Sequence, residues 1–161
     1  MSASDAMALR PVPAADLRDV LRRITDHGDE ILGVDPRRHN LATMRHRLAD
    51  MGARLFEVVL GGVPVAVVGH TVNPLNRDQA TVSVAAFDRA HGAAAVWTHV
   101  TELARRHGTG SFLCAGADGS EAVEAYQAVG FTEVGRMRMH LYRAHAYRDA
   151  CVLHLSLREG P

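Results

Sequence analysis

The chain reads as a single α/β domain over residues 1–161: a mixed, mostly antiparallel sheet of about seven strands with helices on both faces. Three stretches carry that reading. Gly61-Gly62 separates two apolar runs, Arg54 to Leu60 and Val63 to His70, as a two-residue hairpin turn whose positions need φ > 0. Thr81 to His107 passes from an alternating run (Val82, Val84, Ala86) through a short loop, DRAHGAA, into a helix. That helix sets Val96, Val100, Leu103 and His107 on one face. A later helix closes at Gly130 and leads into two final strands, Thr132 to Leu141 and Ala150 to Leu157.

Taken in order, Met7 to Pro11 is a short strand. Pro13 suits the first turn of a helix that carries Leu17, Val20, Leu21 and Ile24 on one stripe and ends at His27-Gly28. Asp29 to His39 is a loop. Asn40 caps a second helix with Leu41, Met44, Leu48 and Met51 inward, stopped by Gly52. After the glycine hairpin, Thr71 to Gln79 is a loop around Asn73-Pro74. Phe112 to Ala117 is a strand that, with the helix before it, makes a parallel, right-handed unit. Asp118 and Glu121 suit a capping box for the next helix. The last two strands run antiparallel around a loop at Arg143 to Arg148. The order is strand, two helices, three strands, helix, strand, helix, two strands, which implies helices on both faces of the sheet.

Composition narrows the function. Net charge is zero, against a polyanion such as nucleic acid as main partner. No apolar run approaches the ~20 residues of a membrane span, and residues 1–8 lack the pattern of a signal peptide. All 18 basic residues are arginine, so lysine-dependent nucleotide hydrolysis and Schiff-base chemistry are excluded. Ten histidines include no metal-binding pair, so no metal is expected. Cys114 and Cys151 read as reduced structural thiols, which predicts a cytoplasmic protein. Arg37, Arg38, His39, Arg45, His46 and Arg47 form the most basic stretch: a solvated helix face, or a wall for an acidic group on a substrate.

Strand, glycine-bearing loop and helix start together make an anion site. The first-turn N–H groups lack partners within the helix, and the helix dipole adds positive charge there. The loop fits R-x-x-G-x-A as Arg89, Gly92 and Ala94, five residues after Val84. In this the chain resembles the GCN5-related N-acetyltransferases (GNAT), whose pyrophosphate loop is Q/R-x-x-G-x-G/A after a strand. EAVEAYQAVGFTEVGRMRMH resembles the helix, tyrosine, Gly-Phe and strand that follow in that family. The tail YRDACVLHLSL is similar to its ribosomal-protein and phosphinothricin-type members. The resemblance follows element order from Leu9 to Leu157 and is motif-specific from Val82 to His140.

The resemblance implies an acyl-CoA acyltransferase fold and an acetyl-CoA-dependent N-acetyltransferase, with acetyl-CoA as co-substrate. The acceptor would be a primary amine of a small molecule, of amino-acid character given the basic stretch. The protein would be a monomer or homodimer. Val84, Ala85 and Ala86 would face the pantetheine arm through backbone groups, one N–H being free for the thioester carbonyl. Arg89, Ala90, His91, Gly92, Ala93 and Ala94 would wrap the pyrophosphate. Tyr126, four residues before Gly130-Phe131, would meet the sulfur; its spacing equally suits a core tyrosine. Two departures stand out: Gly119 replaces a common asparagine, and Gln79 replaces a glutamate base. Asp78, His70 and His140 are then the candidate bases. Cys114 reads as a buried, inert thiol. The other readings are a non-catalytic acyl-CoA or carrier-protein-binding accessory or sensor of the same fold, and a protein N-terminal acetyltransferase.

Overall fold

The structure is a computed structural model that describes residues 6–27, 29–143 and 145–158. Seven strands form one sheet: β1 (Ala8–Pro11), β2 (Arg54–Leu60), β3 (Val63–Val72), β4 (Gln79–Ala86), β5 (Ser111–Ala117), β6 (Thr132–Arg143) and β7 (Ala146–Ser156). Their order is β1-β2-β3-β4-β5-β7-β6, and only β4 and β5 run parallel. The four helices are α1 (Leu17–Asp26), α2 (Leu41–Asp50), α3 (Gly92–His107) and α4 (Glu121–Ala128).

Strand alternation splits the core into two layers. Val68, Val82 and Val84 pack with α3 and α4 on one face. Val67 and Ala85 pack with α1 and α2 on the other. The Gly61-Gly62 turn has positive φ at both residues (56° and 82°), the primed geometry the two-glycine loop demands. Asn40 caps α2, its side chain accepting the Thr43 N–H at 2.9 Å.

Several boundaries differ from the sequence expectations. Pro13 lies in a turn ahead of α1, where its carbonyl accepts the Asp16 N–H, and is not in the helix. Met51 is the C-cap of α2, past its last helical residue, and is 43% exposed. His107, the last residue of α3, is exposed. Thr71 and Val72 extend β3, and Gln79 opens β4, since both pair across the ladder. The cap of α4 is Ser120, whose hydroxyl accepts the Val123 N–H; Asp118 instead pairs with Arg136. Most of the loop expected at Arg143 to Arg148 is strand, with Tyr142 opposite Tyr147, and Ala144 lies outside the described residues. Among the described residues no helix is long and apolar enough to cross a membrane, and no cluster of ligands could hold a metal.

One buried polar pair sits between β3 and α3. His70 Nδ1 and His99 Nε2 are 3.3 Å apart, and Phe56 stacks on His70. Burial lowers His70 from 6.5 to about 4, with His107 and Arg54 adding repulsion; it lowers His99 to about 3. Both rings are therefore neutral in the fold, whereas the unfolded chain protonates them near ~6.5. Their contribution is intact above that pH. It is lost as pH falls toward about 4 for His70 and about 3 for His99. We expect stability to drop by up to ~1.4 kcal/mol per pH unit for each histidine below ~6. Urea midpoints from pH 7 to 4.5 measure this, with the His70→Gln, His99→Gln double variant giving a flatter curve. Identical slopes for both proteins would count against it.

Candidate active site

β4 and β5 pair only as Gln79↔Ser111, Ala80↔Phe112 and Thr81↔Leu113. Beyond that point both strands continue, β5 staying on β7 as far as Ala117↔Ala150, but not on one another. The parting strands leave main-chain groups of β4 facing a gap. The alternation that sends the Phe87 N–H to Val65 O at 2.9 Å turns the N–H groups of Val84 and Ala86 the other way, into the gap.

Of these two, the Val84 N–H is engaged by the protein, and no partner for the Ala86 N–H is found among the described residues. The Val84 N–H donates to the Tyr126 hydroxyl at 3.0 Å. Tyr126 stands on α4 with its ring buried against Phe131, so only the hydroxyl tip reaches the gap. Burial, then the nearby Cys114, raises its pKa well above that of a free phenol. The hydrogen bonds from Val84 and Ser83 offset this in part. The hydroxyl thus keeps its proton. Ser83 also accepts the Leu32 N–H at 3.0 Å, tying the α1–α2 loop to the same spot. Cys114 is buried and its thiol pKa is raised by burial, which makes it a poor nucleophile. Of the expected strand residues, Val84 and Ala85 are buried and Ala86 is half-buried at the mouth of the gap.

The R-x-x-G-x-A stretch folds as a short 3₁₀ turn, Arg89–His91, running straight into α3. Asp88 caps that turn: its Oδ1 accepts the Ala90 N–H at 3.0 Å, and its carbonyl accepts the His91 N–H. The Gly92 N–H goes to Arg89 O. Three of the amides expected to hold a pyrophosphate are thus already engaged by the protein. Arg89 is paired with Glu124 across the groove. Gly92 has ordinary helical angles and is buried. A Cβ on it would come within 3.2 Å of Ala125 Cβ and 3.6 Å of Ala86 Cβ, so its visible role is to let α3 approach α4 and β4. Ala93 and Ala94 follow in the first turn, half-buried and exposed.

Carboxylates gather on this side. A cavity of about 220 Å³ is lined by Asp29, Glu30, Val84, Gly119, Glu121 and their neighbours. Burial, then Glu121, raises Asp29 to about 6. Asp29 and Asp88 escaped the sequence reading. Asp88 was recoverable, as an acidic residue two positions before the first N–H of a turn. Nothing local signals Asp29. Gly119, the position at which the resemblance led us to expect asparagine, has φ of +71° in the β5–α4 turn.

On the opposite side a second cavity, of about 530 Å³, reaches both parted strands at Ser83 and Gly116. It is bordered by Arg38, His39, Arg47 and His140. The three candidate bases are thereby separated. Asp78 is at the far end of β4, paired with Arg158 and accepting the Gly110 N–H. His70 is in the buried pair described above. Only His140 borders the gap. Gln79, at the departure from a glutamate, accepts a hydrogen bond from Asn73 at the same far end as Asp78.

No family model matches the chain, and no curated protein does. Solved structures match over nearly its whole length. A protein assigned as a phosphinothricin N-acetyltransferase superposes with a TM-score of 0.74 at 14% identity, covering 96% of this chain and 100% of its own. RimL, a ribosomal alpha-N-protein acetyltransferase in complex with coenzyme A, gives 0.70 at 15%, with 93% of each chain covered. A GNAT-family acetyltransferase from Bacillus anthracis gives 0.71 at 10%, covering 95% of this chain and 96% of its own. The chain therefore has the fold of the GCN5-related N-acetyltransferases, as its strand order and parted β4–β5 pair indicate.

The packing of Gly92 is directly testable. Gly92→Val would push two methyls into the Ala125–Ala86 contact, and we expect a loss of ~1–3 kcal/mol in urea unfolding. A Gly92→Val protein as stable as the parent would remove the packing role.

Proposed function

We propose that the chain is an acetyl-CoA-dependent N-acetyltransferase that passes the acetyl group directly to a primary amine of a small molecule in a ternary complex. The observation that carries this reading is the buried Tyr126 hydroxyl, held on the Val84 N–H where β4 and β5 part. The fold neighbours support it: each is titled an acetyltransferase, and one contains coenzyme A.

In this reading the thioester enters the gap, with its carbonyl toward the inward-facing amide of Ala86. The sulfur lies near the Tyr126 hydroxyl. A thiol titrates near ~8.5 and a free phenol near ~10, and burial moves Tyr126 further up, so complete proton transfer to the leaving thiolate is uphill. Tyr126 serves as a hydrogen-bond donor to sulfur. Val84 and Ala85 wall the arm. The diphosphate lies at the start of α3, on the amides of Ala93 and Ala94, with Arg89 released from Glu124 and His91 beside it. Arg47 and His39 border the acceptor cavity beside Glu30 and the Arg38–Asp35 pair, and they favour an amine that also carries an acidic group, an amino acid being the simplest. A cytoplasmic enzyme acting as monomer or homodimer, with no nucleic-acid or membrane partner, is part of the same proposal.

A second reading is an acyl-CoA-binding accessory or sensor. The Gly119 and Gln79 departures favour it, since each stands where the resemblance implied a cofactor contact or a base.

Tyr126→Phe separates the two. For the transferase, thiol release with acetyl-CoA and an amine panel should slow by ~10- to 100-fold without stopping. The unpaired Val84 amide should lower stability by ~1–3 kcal/mol. A stability loss with an unchanged rate would leave Tyr126 a structural residue. Asp88→Asn keeps the cap and removes a negative charge from the turn. Calorimetry with coenzyme A should then give a dissociation constant ~3- to 10-fold lower. An unchanged constant would place the diphosphate elsewhere.

A further inference from the structure

β6 carries an irregularity that the sheet does not need. Met137 pairs with Ala150 and Leu141 with Arg148, so four steps along β6 match two along β7. The extra residues, Arg138 to His140, loop out of the ladder. Met139 takes a left-handed φ of 48°, a conformation that non-glycine residues adopt at a cost. The loop is pinned. Asp149 Oδ1 accepts the Met139 N–H at 3.0 Å, and Arg136 binds Asp149, Asp118 and Glu133 together at 2.8–3.1 Å. Bulges of this kind re-aim a side chain beside a site. Here the side chain is His140, which has no hydrogen-bond or ion-pair partner among the described residues and borders the 530 Å³ cavity at the gap. The backbone is fixed while the imidazole is left available.

We propose that His140 is a catalytic residue that takes the proton from the acceptor's ammonium group. This rests on the transferase reading and adds the step that reading lacks. An alkylammonium titrates near ~10.4 and has no lone pair to attack with until it loses a proton. His140 accepts one N–H proton. The freed lone pair then forms the C–N bond to the acetyl carbon, the C–S bond breaks, and the second amine proton ends on the departing sulfur. Met139, Asp149 and Arg136 are positioning residues that hold the bulge. Within the cavity the imidazole shares its surroundings with Glu30, Asp35, Arg38, His39 and Arg47.

The test compares the wild type with His140→Gln and His140→Ala, following thiol release from acetyl-CoA. The acceptors are the fastest alkylamine from an amino-acid and polyamine panel, and an arylamine that is already neutral at pH 7. For the alkylamine we expect kcat/KM at pH 7 to fall by ~100-fold or more, and the wild type's levelling at higher pH to give way to a rise that continues toward the amine's own ~10.4. For the arylamine the loss should be far smaller. Imidazole in the buffer should restore part of the His140→Ala rate. Calorimetry with coenzyme A should be unchanged, since the histidine is on the acceptor side. Equal losses for both acceptors with an unaltered pH profile would overturn the proposal and leave the transferase reading standing. A wild type that binds no coenzyme A and releases no thiol would overturn both.

Discussion

Two parallel strands that pair over three residues and then part create a problem that the rest of this molecule answers. The N–H groups of Val84 and Ala86, on the side of β4 away from β3, face no strand. One buried donor left unmet costs about 1–3 kcal/mol, so a partner must come from elsewhere. For Val84 it is a phenol delivered by α4, and that helix can lie close only because Gly92 and Gly116 present no side chain to it. Ser83 extends the arrangement to the α1–α2 loop through Leu32. A strand, two helices and a loop are thus tied to a single point in the sheet.

The two sides of that point differ in charge. The α3 side carries Asp29, Asp88, Glu121 and Glu124 around the place proposed for a diphosphate, with Arg89 already spoken for by Glu124. The β6 side carries Arg38, Arg47, His39 and His140, with Glu30 and Asp35 among them. A ligand anion on the first side must compete with carboxylates. Affinity there depends on how cheaply Arg89 changes partner, an exposed exchange whose net cost is small because surface ion pairs contribute at most about 1 kcal/mol.

Much of the frame was legible because it rests on short-range rules. Twofold alternation, the Gly61-Gly62 turn, the Asn40 cap and the Gly130 stop are each written in a few adjacent residues. The strand-loop-helix at Thr81 to His107 was legible as a unit, and so was the tyrosine ahead of Gly130-Phe131. What sequence could not supply was who occupies what. The resemblance implied an open amide on β4 without saying which; the fold gives the Val84 amide to Tyr126, forty-two positions later. Gly92 reads as an opening for phosphate, yet its surroundings are Ala125 and Ala86. Among Asp78, His70 and His140 nothing local distinguishes a structural residue from one at the gap. Only strand order and the bulge in β6 do so. Asp118 matches a helix-capping pattern, but Arg136 competes for it from a strand that sequence cannot place nearby.

The sheet order has a further meaning for how the molecule is made. β6 lies at the edge and pairs only with β7 within the sheet, while β7 fills the slot beside β5. During synthesis residues 132–143 leave the ribosome first, yet have no seat until residues 146–156 emerge and lock onto β5. The bulge bearing His140 is therefore among the last parts to take shape. A nascent chain stopped short of β7 would hold the α3–α4 half of the cleft without its opposite wall.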